Sequence, residues 1–137
     1  MTIGGYYSDV TTYEARGEAG ARVLLVDEPG MFDREFPYAV GSAEYPDNPR
    51  RFALLVRAAL EQAIRENRDI SIVHAHDWQA GLAPAYLRTM YAANPLLSRA
   101  RSVMTIHNLS YQGTFDPSWM PQLDLPWELY SIEQLEY

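Results

Sequence analysis

The sequence predicts an α/β domain, a parallel β-sheet with flanking helices. Three observations carry this. A strand-like run, a helical stretch and a second strand-like run succeed one another between Ile70 and Ile106, which is the length of one βαβ crossover. Such a connection is right-handed and its two strands are parallel. The strand-like runs are short and mostly apolar, as strands covered on both faces are. Upstream, apolar residues recur at spacings of three and four between Phe52 and Ile64, one face of an amphipathic helix. The 137 residues suffice for one domain and not for two.

In order along the chain, residues 1–21 carry Gly4, Gly5, Gly17 and Gly20 among tyrosines and charges without a period, and are expected to be irregular. Arg22–Asp27 is a β-branched and leucine run ended by Glu28-Pro29-Gly30, a strand and a turn. Residues 31–47, rich in aromatics, Gly, Pro and Asp, form a long structured loop. The clearest helix comes next, capped by Asp47 or Asn48 with Pro49 at its first position. Its apolar face is Phe52, Leu55, Val56, Ala59, Leu60, Ala63 and Ile64, with Arg57, Glu61, Arg65 and Glu66 off it and Asn67 near the stop. Ile70–Ala75 is the next strand. Trp78–Ala93 reads as a helix that Pro84 either kinks or opens, and Asn94-Pro95 ends it. Arg101–Ile106 is the third strand, and Pro126 opens a final short helix through Leu135. No internal repeat is visible.

Composition narrows the function classes. The apolar fraction of 47 % can build a core, and no long polar run suggests disorder. No apolar stretch approaches the roughly 20 residues that span a bilayer. The start, Met1-Thr2-Ile3-Gly4-Gly5, has neither the basic nor the apolar region of a signal peptide. There is no cysteine, hence neither a disulfide nor a thiolate metal site. A cytoplasmic address is expected, without a membrane. The net charge is −7, and all eleven basic residues are arginines. A nucleic-acid partner needs a clustered cationic footprint, which this sequence lacks.

Two clusters can carry chemistry. His74-Ala75-His76-Asp77-Trp78 sits where the second strand ends, and His107-Asn108-Leu109 where the third ends. Ligands of open parallel sheets bind in the crevice beyond the carboxyl ends of the strands. Each residue also has a purely structural reading. Asp77 stands before a helix and can be its N-cap. His74 and His76 share one strand face, with His74 read as a core histidine. Trp78 reads as a packing residue and Asn108 as a turn former. His107 is the hardest to assign to structure, since a loop after a buried strand has little need of an imidazole. His74, His76, Asp77 and His107 could alternatively ligate zinc or iron in a metal-dependent hydrolase. With three histidines and no lysine to bridge a second metal, this reading ranks last.

The segment His74-Ala75-His76-Asp77-Trp78-Gln79-Ala80-Gly81-Leu82-Ala83-Pro84-Ala85-Tyr86-Leu87 closely resembles the HAHDW-x-x-GL-x-PA-x-L segment of bacterial glycogen synthases and plant starch synthases. Thr105-Ile106-His107-Asn108-Leu109-Ser110-Tyr111-Gln112-Gly113 resembles their T-[IV]-HN-L-x-YQG segment, and Leu125-Pro126-Trp127 fits the family's pattern downstream of it. Tyr45-Pro46-Asp47-Asn48 with Arg51-Phe52-Ala53-Leu54-Leu55, and Val26-Asp27-Glu28-Pro29-Gly30-Met31-Phe32-Asp33-Arg34, fit upstream. The resemblance runs from Arg22 to Tyr137. It implies a Rossmann-like parallel sheet with flanking helices, part of the N-terminal half of a two-domain GT-B glycosyltransferase. It further implies a retaining enzyme, without metal or cofactor, that moves glucose from ADP-glucose or UDP-glucose to the non-reducing end of an α-1,4-glucan.

By the same resemblance His107 and Asp77 are the catalytic candidates. His107 holds the donor glucose near its 6-hydroxyl and turns its backbone carbonyl to the anomeric carbon. Asp77 lines the cleft near the acceptor or the transferred sugar. Asn108, Tyr111, Gln112 and His76 form the substrate-binding wall. The sequence also departs from the family. Gly4-Gly5 lacks the strand and the Lys-Thr of the family's Lys-Thr-Gly-Gly-Leu loop, and the nucleotide-binding C-terminal domain with its Arg/Lys pair is missing. A leaving diphosphate needs such cationic stabilisation. The expectation is a fragment of the N-terminal catalytic domain that is inactive alone; the alternative is a non-catalytic glucan-binding or scaffold module of the same fold.

Overall fold

The computed structural model describes residues 1–133 and 135. Its first elements are two antiparallel hairpins. Strands β1 (Thr2–Ile3) and β2 (Tyr6–Tyr7) close over Gly4-Gly5, and β3 (Thr11–Arg16) pairs with β4 (Arg22–Asp27) from Thr11 opposite Asp27 to Arg16 opposite Arg22. The expectation of an irregular segment over residues 1–21 is therefore corrected. Long-range partners impose the order, and no local period reveals them. Ile3 is buried in the core, the Gly4 amide donates to Asp124 Oδ1 (3.0 Å), and Arg57 Nη1 donates to the Thr2 carbonyl (2.9 Å) and to Asp124 Oδ2 (2.8 Å). A Cβ on Gly4 would lie 2.1 Å from the Gln122 carbonyl oxygen, so only glycine admits this approach.

The long loop expected over residues 31–47 is partly regular. Helix α1 (Pro29–Phe32) is capped by the Glu28 carboxylate, which accepts from the Met31 amide at 2.7 Å. Strands β5 (Ala39–Val40) and β6 (Ala43–Glu44) form a small hairpin. Arg51 pins this excursion down. It is buried, donates to the carbonyls of Met31 (2.6 Å) and Pro37 (3.0 Å) and to Asn48 Oδ1 (2.6 Å), and lies against the rings of Phe32, Tyr45 and Phe52. Burial holds its guanidinium below the usual arginine pKa.

Helix α2 (Asn48–Arg65) begins with Pro49 in its first turn, as expected. Asp47 occupies the cap position, but its carboxylate pairs with Arg34 (2.7 Å) and bonds no helix amide. The buried surface of α2 is wider than one stripe. Ala53, Leu54, Val56, Ala58 and Leu60 are covered, Ala59 is exposed, and Arg57 lies buried despite its charge, with its Nη1 bonded to Asp124 and to the Thr2 carbonyl.

Strands β7 (Ile72–His76) and β8 (Arg101–Thr105) pair in parallel, Ile72 opposite Arg101 and His76 opposite Thr105, as the crossover predicts. Coverage differs from the expectation. Val73 and Ala75 pack toward the core while Ile72, His74 and His76 are exposed, so β7 is covered on one face. The expected helix over Trp78–Ala93 resolves into a 3-10 turn (Trp78–Ala80) and the short helix α3 (Ala83–Arg88), with Pro84 in its first turn. Proline opens the regular part because it lacks the N–H an interior position needs. Helix α4 (Trp119–Gln122) and a 3-10 turn (Trp127–Leu129) complete the order. The helix expected from Pro126 to Leu135 is confined to that turn; Gln134 lies outside the described residues. Leu54, Tyr86, Leu97, Met120 and Leu123 anchor one core between α2, α3 and α4, and the Tyr86 hydroxyl donates to the Leu123 carbonyl at 2.8 Å. Desolvation raises the phenol's pKa, so it stays neutral.

Candidate active site at the ends of β7 and β8

The parallel register fixes the residues that meet at the carboxyl edge. β7 ends at His76 opposite Thr105, so the residues just beyond, Asp77 and His107, leave neighbouring strands side by side. The Asp77 amide donates to the Thr105 carbonyl (2.9 Å), one more rung of the ladder. Asp77 then takes φ +56° and ψ −179°, a conformation that side-chain-bearing residues rarely adopt. This turn carries its carboxylate across to β8, where Oδ1 accepts from the His107 amide at 2.7 Å. Asp77 occupies the N-cap position of the 3-10 turn after it, as the sequence suggests, but its side chain makes no cap bond there. A hydrogen bond to a carboxylate is short and strong, and this one sets the peptide plane on the N-terminal side of His107.

The His107 ring is held as well. His107 Nε2 lies 3.0 Å from His76 Nδ1, with the rings 16° from parallel. One step back along the same diagonal, His74 Nε2 lies 2.7 Å from Thr105 Oγ1, and the His74 and His76 rings are 4.2 Å apart. His74 is exposed and bonded to a strand hydroxyl, so its reading as a core histidine is overturned. That reading requires β7 to be covered on both faces, and it is covered on one. Among the described residues no set of three or more His, Asp or Glu side chains converges as metal ligands, and His76 and His107 direct the named nitrogens at each other.

Beyond His107 the chain makes a tight loop. Asn108 Oδ1 accepts from the Ser110 amide (3.0 Å) and its carbonyl from the Tyr111 amide (3.2 Å), so Asn108 does build the turn. Gln112 Nε2 donates to the Leu109 carbonyl (3.2 Å). Trp78 holds the far end of the loop. Its indole packs edge-on against Phe52 (4.8 Å) and near Tyr38 and Phe115, and Gly113, at φ +65°, lies against its face. Trp78 is a packing residue, as the sequence suggests. Tyr111 and Gln112 line two neighbouring clefts, one apolar of roughly 800 Å³ under β8 and one polar of roughly 380 Å³ rimmed by Glu44, Trp78 and residues 110–114. His76, Asp77 and His107 lie on the open strand edge outside both. All six candidate residues therefore fall on one edge, in two groups: the His76–Asp77–His107 cluster and the Asn108–Gln112 loop. Thr105 and Gly113 stand in the matched segment but are not among the site candidates; register pairing and a glycine closing a turn are what give them their roles.

The family model described as starch synthase catalytic domain matches residues 1–137. The chain belongs to this family. The match extends through the N-terminal hairpins, upstream of the Arg22 at which the sequence resemblance begins. A glycogen synthase of Koribacter versatilis is 43 % identical over 119 residues, 86 % of this chain and 24 % of that one. One from Glaesserella parasuis is 39 % identical over 137 residues, 97 % of this chain and 28 % of its own length. Among solved structures, the catalytic domain of starch synthase IV from Arabidopsis thaliana, bound to ADP and acarbose, superposes with a TM-score of 0.83 at 28 % identity, over 97 % of this chain and 26 % of that one. The chain thus spans about a quarter of the length of these relatives, and its α/β fold with parallel strands is that of a starch synthase catalytic domain.

Proposed function

We propose that these residues form the glucose-side wall of a retaining glucosyltransferase that transfers glucose from ADP-glucose to the non-reducing end of an α-1,4-glucan. The observation that carries the reading is the Asp77–His107 bridge at the carboxyl edge of the parallel strands, in a chain that matches the synthase family throughout. Departure of the nucleotide leaves positive charge at the anomeric carbon. A fixed oxygen dipole facing that carbon stabilises the transition state without reorganising. The His107 carbonyl is the proposed dipole, and its ring nitrogen the group that engages the 6-hydroxyl. Tyr111 and Gln112, on the loop that Asn108 turns, line the proposed sugar cleft beside it. No metal or cofactor takes part.

The diphosphate needs cationic partners, and this chain has no lysine to offer; the remaining three quarters of a relative are proposed to supply them. The proposed compartment is the cytoplasm, or the plastid if the source is a plant. The test is a grafted synthase in which these residues replace the matching segment of the Glaesserella parasuis enzyme, aligned over 137 residues. It is expected to elongate glycogen from labelled ADP-glucose, while the 137-residue chain alone does not. A soluble graft that binds glycogen but transfers nothing would favour the scaffold-module reading.

A further inference from the structure

The geometry points to His76 as a positioning residue for His107, a role that rests on the proposed function and replaces the sugar contact expected of His76 from the sequence. Three observations converge. His76 Nδ1 and His107 Nε2 are 3.0 Å apart. Two neutral imidazoles share such a bond only when one nitrogen carries the proton and the other does not, so the contact couples the tautomers of the two rings. The rings are also nearly parallel, at 16°, which fixes the tilt of His107, while the shared proton ties its tautomer to that of His76. Finally, His76 is itself placed, by the β7–β8 register that sets it opposite Thr105 and by its contact with the His74 ring at 4.2 Å.

The consequence for His107 is specific. With Nε2 engaged by His76 and the backbone amide engaged by Asp77, Nδ1 is the ring nitrogen left for a sugar hydroxyl. His76 and Asp77 together hold the imidazole and the backbone of one residue from two sides. Placement errors near 1 Å cost on the order of 100-fold in rate, so losing one of the two restraints is expected to lower turnover by roughly 10- to 100-fold.

Three variants of the grafted synthase separate this role from a sugar contact. His76→Asn keeps a hydrogen-bonding atom near the Nδ1 position, His76→Gln moves the amide toward the Nε2 position, and His76→Phe keeps a ring without nitrogen. Turnover is expected to fall in the Phe and Gln variants with the KM for ADP-glucose and for glycogen unchanged, and His76→Asn is expected to recover most of the loss. In histidine labelled with nitrogen-15, His107 is expected to show one tautomer in the parent and a mixture in His76→Phe. Parent-like turnover in His76→Phe, a raised donor KM with intact turnover, no recovery in His76→Asn, or an unchanged His107 tautomer in His76→Phe would each overturn the role. The tautomer measurement judges His76 even if the parent graft transfers no glucose, an outcome that would instead defeat the proposed function.

Discussion

A methyl group on Gly113 would sit 2.5 Å from Cε3 and 2.7 Å from Cδ2 of Trp78, and the residue holds φ +65°. Both facts oppose any side chain there, since the indole is fixed in turn by Phe52, Tyr38 and Phe115. Gly113→Ala is therefore expected to lower the unfolding free energy of the grafted synthase by about 1–3 kcal/mol, read from its urea midpoint. It is also expected to loosen the loop that carries Tyr111 and Gln112. An unchanged midpoint would mean that Trp78 moves freely. At this scale the candidate residues are legible in the sequence and their partners are not. The strand-end positions of Asp77 and His107 mark them as candidates, because strand ends of parallel sheets gather ligands. The Asp77 bond to the His107 amide needs the register and a positive φ, and neither is written locally in the chain. His74 escapes a sequence reading for the same reason, since a strand's uncovered face depends on the elements that pack elsewhere.

Among the elements, the end of α2 is tied to the β3–β4 hairpin by charge. Arg22 on β4 donates from Nη1 to Glu66 Oε2 at 2.7 Å and from Nη2 to Oε1, and it also pairs with Glu14 on β3 at 3.0 Å. Gln62 adds a bond to Glu66 at 2.7 Å. The hydrogen bond from Arg22, then that from Gln62, pull the Glu66 carboxyl from 4.5 down to about 2. A depressed carboxylate pKa contributes stability that is present above the unfolded value and is lost as pH falls through the folded one. The stability difference between the parent and Glu66→Gln is thus expected to be constant above about pH 4.5 and to vanish by about pH 2. Added salt should shrink it, because solvent still reaches the half-buried pair. Denaturant midpoints across that pH range check this, and a difference independent of pH would contradict it. The elements themselves are unevenly legible. α2, β7 and β8 announce themselves by period and composition. β1 to β3 do not, because Asp124, 120 residues away from Gly4, and the pairing with β4 create their order. The helix expected after Trp78 is short because Pro84 sets its start, after the 3-10 turn, and its regular part ends at Arg88.

For the whole molecule, the β7–β8 pair presents Ile72, Val103, Met104 and Ile106 at 40–62 % exposure, and Leu109 and Tyr111 lie further out at 69 % and 65 %. Unpaired strand edges beside exposed apolar side chains invite association. The isolated 137-residue chain is accordingly expected to self-associate, with light scattering behind a sizing column giving masses well above 15.6 kDa. A monomer with a sharp cooperative melt would contradict this. In a full-length synthase that edge is the proposed glucose wall. The most direct test is His107→Ala in the grafted enzyme, with turnover and donor affinity measured separately. Removing the ring takes away a contact that matters most as charge develops, while nucleotide binding rests on the rest of the protein. Turnover is expected to fall by at least about 10-fold with the ADP affinity nearly unchanged. Turnover equal to the parent's would remove His107, and with it this edge, from the active site.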